Sequence, residues 1–507
     1  MGFARRMGAL FASLVVVAAS GVVAAQTADA APRVHRAIDP AEVRESVRYL
    51  TETYGVSERE ALRRLQLQDD ATRLDRALRP EAGYGGMWLD HAAGGVLVVA
   101  MTRPADADRY LRALPDRRNV RTKAVRYSLA ELNAARDRIA ARVGAGPDAV
   151  HLPSVSEADN QVVVWERGWV AAEKQSRTGT AAAEAESARS AVAAEPAGLA
   201  TTRVLVKPEP LDPAATRAPA IGPMATPNVD WGFCHPLYCS NHGPMRGGLR
   251  LDMQRDPVSG QPPTWGGCTS GFNLRSTGGG FPGKAWVLTA GHCMATKTNN
   301  TPTQHNGTSV LNQHGIEKNS YPYDYAALQY VDAATANTWL GNHTGRNRVL
   351  KYCRNGGADS NSDTPCGEQA TSVDEYITGT HALADIKAGW VVCATGSGSN
   401  AVNYPDSHDS GAGTGYLVGT RCGRVLSTDV GINTDLCARA GDSGSPLFSQ
   451  VDHTALGILE GSQQSRGGAC WAGELNNYAP IETVITDLNE RIAGQGTVFS
   501  VITTPNG

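Results

Sequence analysis

At 507 residues with a formal net charge of −3, the chain is too long for one compact core. It also carries no chain-wide basic field of the kind that tracks nucleic acid. Hydrophobic residues at 41% and charged residues at 19% exclude a globally disordered chain. With 55 Gly, 27 Pro and 6% aromatic residues, the composition points to turn-rich β structure plus at least one flexible stretch.

Arg5 and Arg6 form a positive start, and Ala9 to Ala19 is an apolar run interrupted by Ser13. Ala28-Asp29-Ala30 follows as a small-x-small cleavage pattern, so residues 1–30 read as a signal peptide and the protein as secreted. The apolar run is too short to span a bilayer of ~30 Å, and no stable membrane association is expected. All 10 cysteines lie from Cys234 to Cys470. An even number in an exported chain reads as disulfides, although spacing alone does not fix their pairing. Neither a Cys-x-x-Cys pair nor a His cluster at ligand spacing occurs, so no metal site is expected.

Residues 31–173 read as a cysteine-free α+β segment. Asp39-Pro40 starts a helix carrying Val43, Val47, Leu50 and Tyr54, and Gly55 closes it. Ser57 with Glu60 caps a second helix. Met87-Trp88-Leu89 and Val96 to Met101 flank the turn from His91 to Gly95 as a hairpin. The plan then repeats loosely: Val125 to Tyr127 is strand-like, Ser128 and Glu131 cap a helix, and a strand runs from Val162 to Trp165. No catalytic constellation occurs in this part. Residues 174–228 shift to Ala, Thr, Glu and Pro, with Pro208, Pro210, Pro213, Pro219 and Pro223, and read as a flexible linker.

Residues 229–507 carry the chemistry. The apolar run Trp286 to Thr289 ends at Ala290-Gly291-His292-Cys293, and a bridge from Cys268 would hold that turn against the core. Asp324 opens the strand-like Tyr325 to Leu328, and Gly441-Asp442-Ser443-Gly444-Ser445-Pro446 follows. A serine hydroxyl is a weak nucleophile and needs a base that is itself oriented. His292 can take the Ser443 proton, and Asp324 can fix the imidazole. The tight turn can aim the backbone N–H groups of Gly441 and Ser443 at a developing oxyanion. No cofactor is needed for such chemistry.

The two motifs and their order resemble chymotrypsin-fold serine proteases, in particular the streptogrisin and α-lytic protease branch, over roughly Trp231 to Thr503. The resemblance rests on the His292 and Ser443 segments, on Cys437 six residues before Ser443, and on Cys470 beyond it. Cys393 with Cys422, and Tyr478-Ala479-Pro480-Ile481 before a final strand, are also similar to that branch. It implies an all-β domain of two antiparallel six-stranded β-barrels, hydrolysing peptide bonds with His292, Asp324 and Ser443. It implies bridges Cys437–Cys470, Cys393–Cys422 and Cys268–Cys293, with Cys353–Cys366 and Cys234–Cys239 closing local loops. It further implies that the front segment, with Gly86-Met87-Trp88-Leu89 and Asn160 to Val164, is a prodomain that assists folding and inhibits until cleaved. Expected partners are protein or peptide substrates and the chain's own prodomain, the protein being a monomer. A non-catalytic homologue that binds a partner is the alternative. An esterase does not fit, because its elbow motif and residue order differ.

Three positions depart from the family. Ser445 stands where Gly is usual. Ala394 stands where an Arg normally pairs with Asp442, so Asp442 is expected to use another cation, Arg439 or a new N-terminus. Glu460 stands where a Ser bonds the triad Asp; it would repel Asp324, titrate upward, or turn into the specificity pocket. Pocket candidates are Asp435, Glu460, Gly461 and Ser462. Asp435 would favour cleavage after Arg or Lys, whereas the branch more often takes large apolar residues.

Overall fold

The computed structural model describes residues 38–144, 149–206, 244–256, 265–294, 299–305, 307–319, 321–340, 347–351, 374–397, 419–439, 441–462 and 474–503. The expectations for residues 1–30, and for Cys234, Cys239, Cys353, Cys366 and Cys470, lie outside these.

The front half opens with two helices, Arg44–Tyr54 and Glu58–Leu78. Gly55 ends the first in the left-handed region (φ 64°), where the absence of a Cβ removes the penalty. The Ser57 side chain accepts from the Glu60 N–H at the start of the second. The expected hairpin forms between Tyr84–Asp90 and Val96–Met101, with Trp88 opposite Val98. Its third strand is Val120–Ala124, pairing parallel to Val96–Met101, rather than the stretch from Val125 onward. The plan does repeat. After the helix Leu129–Val143, started by a capping box of Ser128 and Glu131, His151–Ser156 pairs antiparallel with Gln161–Glu166. Ala200–Val204 then adds a parallel third strand.

That last strand corrects the expected linker. Residues 174–204 are structured: helices Gly168–Thr178 and Ala181–Ala193 precede the strand. Ala181, Ala188 and Ala191 are buried, and Ala191 joins Leu132, Ala135 and Ile139 in one core. An alanine-rich run reads as low complexity, but Ala is the best helix former and its small side chain allows close packing. Only residues beyond 206 keep the linker reading, and they lie outside the described set.

The back half is built mainly from antiparallel strands, the short Gly379–Thr380 pairing parallel with Thr454–Ser462. Val391–Gly396, Gly419–Ser427, Ile432–Thr434, Pro446–Ser449, Thr454–Ser462 and Asn476–Pro480 form a sheet whose ends meet, Gly457 pairing with Pro480, so the sheet closes into a six-strand barrel. Closure removes exposed edges. The other part is an open half-barrel among the described residues. It has a five-stranded sheet centred on Ala285–Thr289 and a four-stranded sheet centred on Arg250–Gln254, linked by a bridge between Leu311 and Tyr330. Two described disulfides match expectation: Cys268–Cys293, which ties a strand to the turn Gly291–Cys293, and Cys393–Cys422, which joins directly opposed residues of neighbouring strands. Cys437 is also disulfide-bonded.

The two halves share cores. Leu67, Leu74, Tyr84, Leu89 and Val99 of the front pack with Trp390, Val392, Val425 and Leu456 of the barrel. Val43, Leu50 and Leu65 pack with Val391. Polar groups fix the register between them. Gln68 donates to the Val391 carbonyl (3.2 Å) and accepts from its N–H (2.7 Å). The Leu89 N–H donates to the Ala388 carbonyl (2.9 Å). Buried Lys387 binds Glu157 (2.8 Å) and Asp75 (3.1 Å), both from the front half. Gly389 (φ 85°) allows the approach, since a Cβ there would meet the Leu89 carbonyl oxygen at 2.0 Å.

Candidate active site

The strand Ala285–Thr289 delivers His292 on a short turn, Gly291–Cys293, pinned by the Cys268–Cys293 bridge. Its neighbour Tyr325–Gln329 runs antiparallel, with Thr289 opposite Ala326, which sets Asp324 beside that turn. Room there is limited: a Cβ on Gly291 would lie 2.0 Å from the Lys318 carbonyl oxygen and 2.8 Å from Asp324 Oδ1. Asp324 Oδ1 accepts the His292 backbone N–H (2.7 Å), and Oδ2 is hydrogen-bonded to His292 Nδ1. The other ring nitrogen, Nε2, lies 2.7 Å from Ser443 Oγ. His292 is 8% exposed and Asp324 5%, so these contacts act in a medium that strengthens them relative to water.

Ser443 sits on a turn held from several sides. Gly441 has φ 95° and Gly444 φ 86°. A Cβ on Gly444 would lie 2.3 Å from Thr289 Oγ1 and 2.5 Å from the Thr269 carbonyl oxygen. The Thr269 hydroxyl donates to the Gly441 carbonyl (2.7 Å), and the Thr269 N–H donates to the Ser443 carbonyl (2.8 Å). The N–H groups of Asp442, Gly444 and Ser445 donate to the carbonyls of Arg439, Leu459 and Asp442. Ser445, the residue in place of Gly, is buried and turns its hydroxyl back onto the Asp442 carbonyl, so it reinforces the turn.

Asp442 is fully buried, and its cation is neither candidate expected from the sequence. Arg421 donates to Asp442 Oδ2 (2.9 Å), and the backbone N–H of Arg439 donates to the same oxygen (2.9 Å). Arg421 is the direct cross-strand partner of Ala394. The guanidinium thus comes from the opposing strand, and Gly396 leaves space for the carboxylate, since a Cβ there would stand 2.0 Å from Asp442 Oδ1. The Arg439 side chain instead pairs with buried Glu474 (2.7 Å), whose Oε1 also accepts the Ala438 N–H (3.0 Å). Arg421 and Glu474 are the supporting residues that sequence reading missed. Arg421 sits one place before Cys422, so a strand pairing across the Cys393–Cys422 bridge was the signal for it.

Glu460 is buried beside Asp324, as one of the expectations had it, and not in a pocket. Its Oε1 accepts the N–H groups of Tyr323 (2.5 Å) and Asp324 (2.7 Å). Burial pushes its carboxyl up to about 8, the Asp324 charge adding to this while the two N–H bonds and Lys318 oppose it. Asp435 is likewise no open pocket charge. Its carboxylate accepts the Arg424 N–H (2.7 Å) and binds the Arg424 side chain (3.2 Å) and the Tyr49 hydroxyl of the front half (3.2 Å). Burial raises it above the usual carboxylate range. Gly461 and Ser462 lie at the end of the strand Thr454–Ser462, opposite Asn477 and Asn476.

The front half reaches the same neighbourhood. Buried Arg167 donates to the Tyr321 carbonyl (2.8 Å), three residues before Asp324, and Trp169 meets the Tyr321 ring edge-on at 6.2 Å.

Residues 258–482 match the family model described as Trypsin. This stretch therefore forms a trypsin-family domain of chymotrypsin fold, the family of serine proteases. No curated protein matches the chain.

Proposed function

We propose that the protein is a serine endopeptidase, exported and made as an inactive precursor. The observation that carries the reading is the continuous contact chain Asp324–His292–Ser443, closed at both ring nitrogens. Ser443 Oγ attacks the scissile carbonyl while His292 Nε2 takes its proton, and His292 returns that proton to the leaving amine. Asp324 keeps the ring in the tautomer that accepts at Nε2 and stabilises the imidazolium. The N–H groups of Gly441 and Ser443 receive the oxyanion. Water then hydrolyses the acyl-enzyme by the same relay.

The preceding segment is the prodomain, extending to about residue 206. Its interlocking with the barrel through Gln68, Leu89 and Lys387 supports a role in assembling that barrel, and Arg167 with Trp169 supports restraint near the site. Export rests on the cleavage pattern at Ala28 to Ala30 and on the disulfides. Among the described residues no helix is long and apolar enough to cross a membrane. The engagement of Asp435 favours large apolar residues before the scissile bond over Arg or Lys. A Cys437–Cys470 bridge and a monomeric state complete the reading.

Labelling of the processed protein with a fluorophosphonate tests it, with Ser443→Ala as control. Labelling of the parent alone is expected. An unlabelled parent after confirmed removal of the front segment would point to the partner-binding homologue instead.

A further inference from the structure

We infer that Glu460 is the positioning residue of the triad, setting the place of the Asp324 carboxylate by gripping the main chain that carries it. The inference rests on the protease reading above. Tyr323 has φ 78°, a left-handed conformation rare for a bulky residue. In such a conformation successive N–H groups converge to form a small anion-accepting concavity. Here the N–H groups of Tyr323 and Asp324 converge on one atom, Glu460 Oε1, at 2.5 and 2.7 Å. Neither Asp324 oxygen hydrogen-bonds Glu460: Oδ1 accepts the His292 N–H and Oδ2 meets His292 Nδ1. Glu460 therefore acts on the carboxylate only through the backbone. A serine hydroxyl on the same strand is two carbons shorter and could not fill this concavity.

The surroundings explain how two carboxyl groups coexist there. Glu460 is 3% exposed and its Oε2 has no hydrogen-bond partner. Facing it are Asp324 and Tyr323. Tyr321 is also near, with Arg167 of the front half on its carbonyl. Lys318 lies over the Tyr323 ring and is bound to Asp487 of the helix Ile481–Arg491 (3.0 Å). Burial, with the Asp324 charge beside it, keeps the Glu460 carboxyl largely protonated at neutral pH. A neutral carbonyl oxygen still accepts both N–H groups. This predicts that an amide replaces the acid and a methyl group does not.

The test compares the processed parent with Glu460→Gln and Glu460→Ala, following fluorophosphonate inactivation (kinact against KI) from pH 6 to 10. Glu460→Gln is expected to keep kinact within about threefold and to lack the ionisation near pH 8 expected of the parent. Glu460→Ala is expected to lose about 100-fold in kinact with KI within about twofold, the size expected when a reacting group is displaced by ~1 Å. On a Ser443→Ala background, the low-field ring N–H proton resonance of His292 should persist with Glu460→Gln and vanish or shift with Glu460→Ala. Unchanged kinact and resonance in Glu460→Ala would overturn the inference. So would a Glu460→Gln that keeps the step near pH 8, a readout that stands even if Glu460→Ala fails to fold. A parent that never labels defeats the protease reading alone, because the resonance still reports on Glu460.

Discussion

Asp442 shows how a side chain's partner can be invisible in linear sequence yet fixed by strand pairing. Its charge is buried beside Ser443 and is neutralised by Arg421 across the strand pair, at the place where Ala394 left a gap. Removing one member of a buried pair leaves an uncompensated charge, which typically costs ~3–5 kcal/mol. Arg421→Met should lower stability by about that amount in urea titrations, and adding Asp442→Asn should restore most of it. A loss below about 1 kcal/mol for Arg421→Met would show that the Arg439 N–H suffices. The contact chain Asp324–His292–Ser443, by contrast, was legible from the chain itself. Each member sits inside a contiguous motif whose local structure dictates its exposure: a strand end for His292, a strand start for Asp324, and a glycine-flanked turn for Ser443. Asp435 misled because sequence position near Cys437 says nothing about Tyr49, almost four hundred residues away in the chain.

At the level of elements, the helix starts at Ser57 and Ser128 and the hairpin after Gly86 were readable because caps and turns are local devices. The helix Ala181–Ala193 was not, because its buried positions are all alanines, Ala181, Ala188 and Ala191. Hydrophobic periodicity is weak when the apolar residues are alanines, although their spacing of seven and three is helical. How elements of the two halves dock was equally hidden, since it relies on single polar contacts. Gln68 satisfies both the N–H and the C=O of Val391 in a buried setting. Gln68→Leu leaves both unpaired, at about 1–3 kcal/mol each. The full chain should melt several degrees lower, whereas Arg59→Ala at an exposed position of the same helix should change the stability by less than about 0.5 kcal/mol.

Across the whole molecule the shared cores make the front half and the barrel one cooperative body, and pH acts on their seam. His91 of the front half is buried, with Nε2 2.7 Å from the Gly389 carbonyl of the back half. Burial first, then the charges of Arg64 and Arg424, lower it from 6.5 to about 4, against the pull of that carbonyl. A depressed pKa gives stability that is complete above the unfolded value and is lost as pH falls through the folded one. The parent should thus weaken between pH 6.5 and 4, by up to about 3 kcal/mol from this residue. Asp429, raised to about 6 by burial and by Asp159, works in the opposite direction over part of that range. The comparison with His91→Gln isolates the histidine: the variant's thermal midpoint should fall less steeply over that interval, and parallel curves would refute the assignment.

The buried Lys387, whose two carboxylate partners Asp75 and Glu157 belong to the front half, has a consequence for what a cut in the chain achieves. While the polypeptide is continuous, the halves meet at an effective concentration set by their tether, of millimolar order for short flexible connections. Severing the chain between Val206 and Pro244 abolishes that tether but leaves every contact at the seam in place. Persistence of the pair then becomes a matter of mass action. Dilution favours separation, and a confined space favours retention. Separation returns the Lys387 ammonium and the two acids to water, and this rehydration offsets much of the ion pairing that is lost. A second cut within the front half removes the partner that could rebind, so it, rather than the first, would make release irreversible.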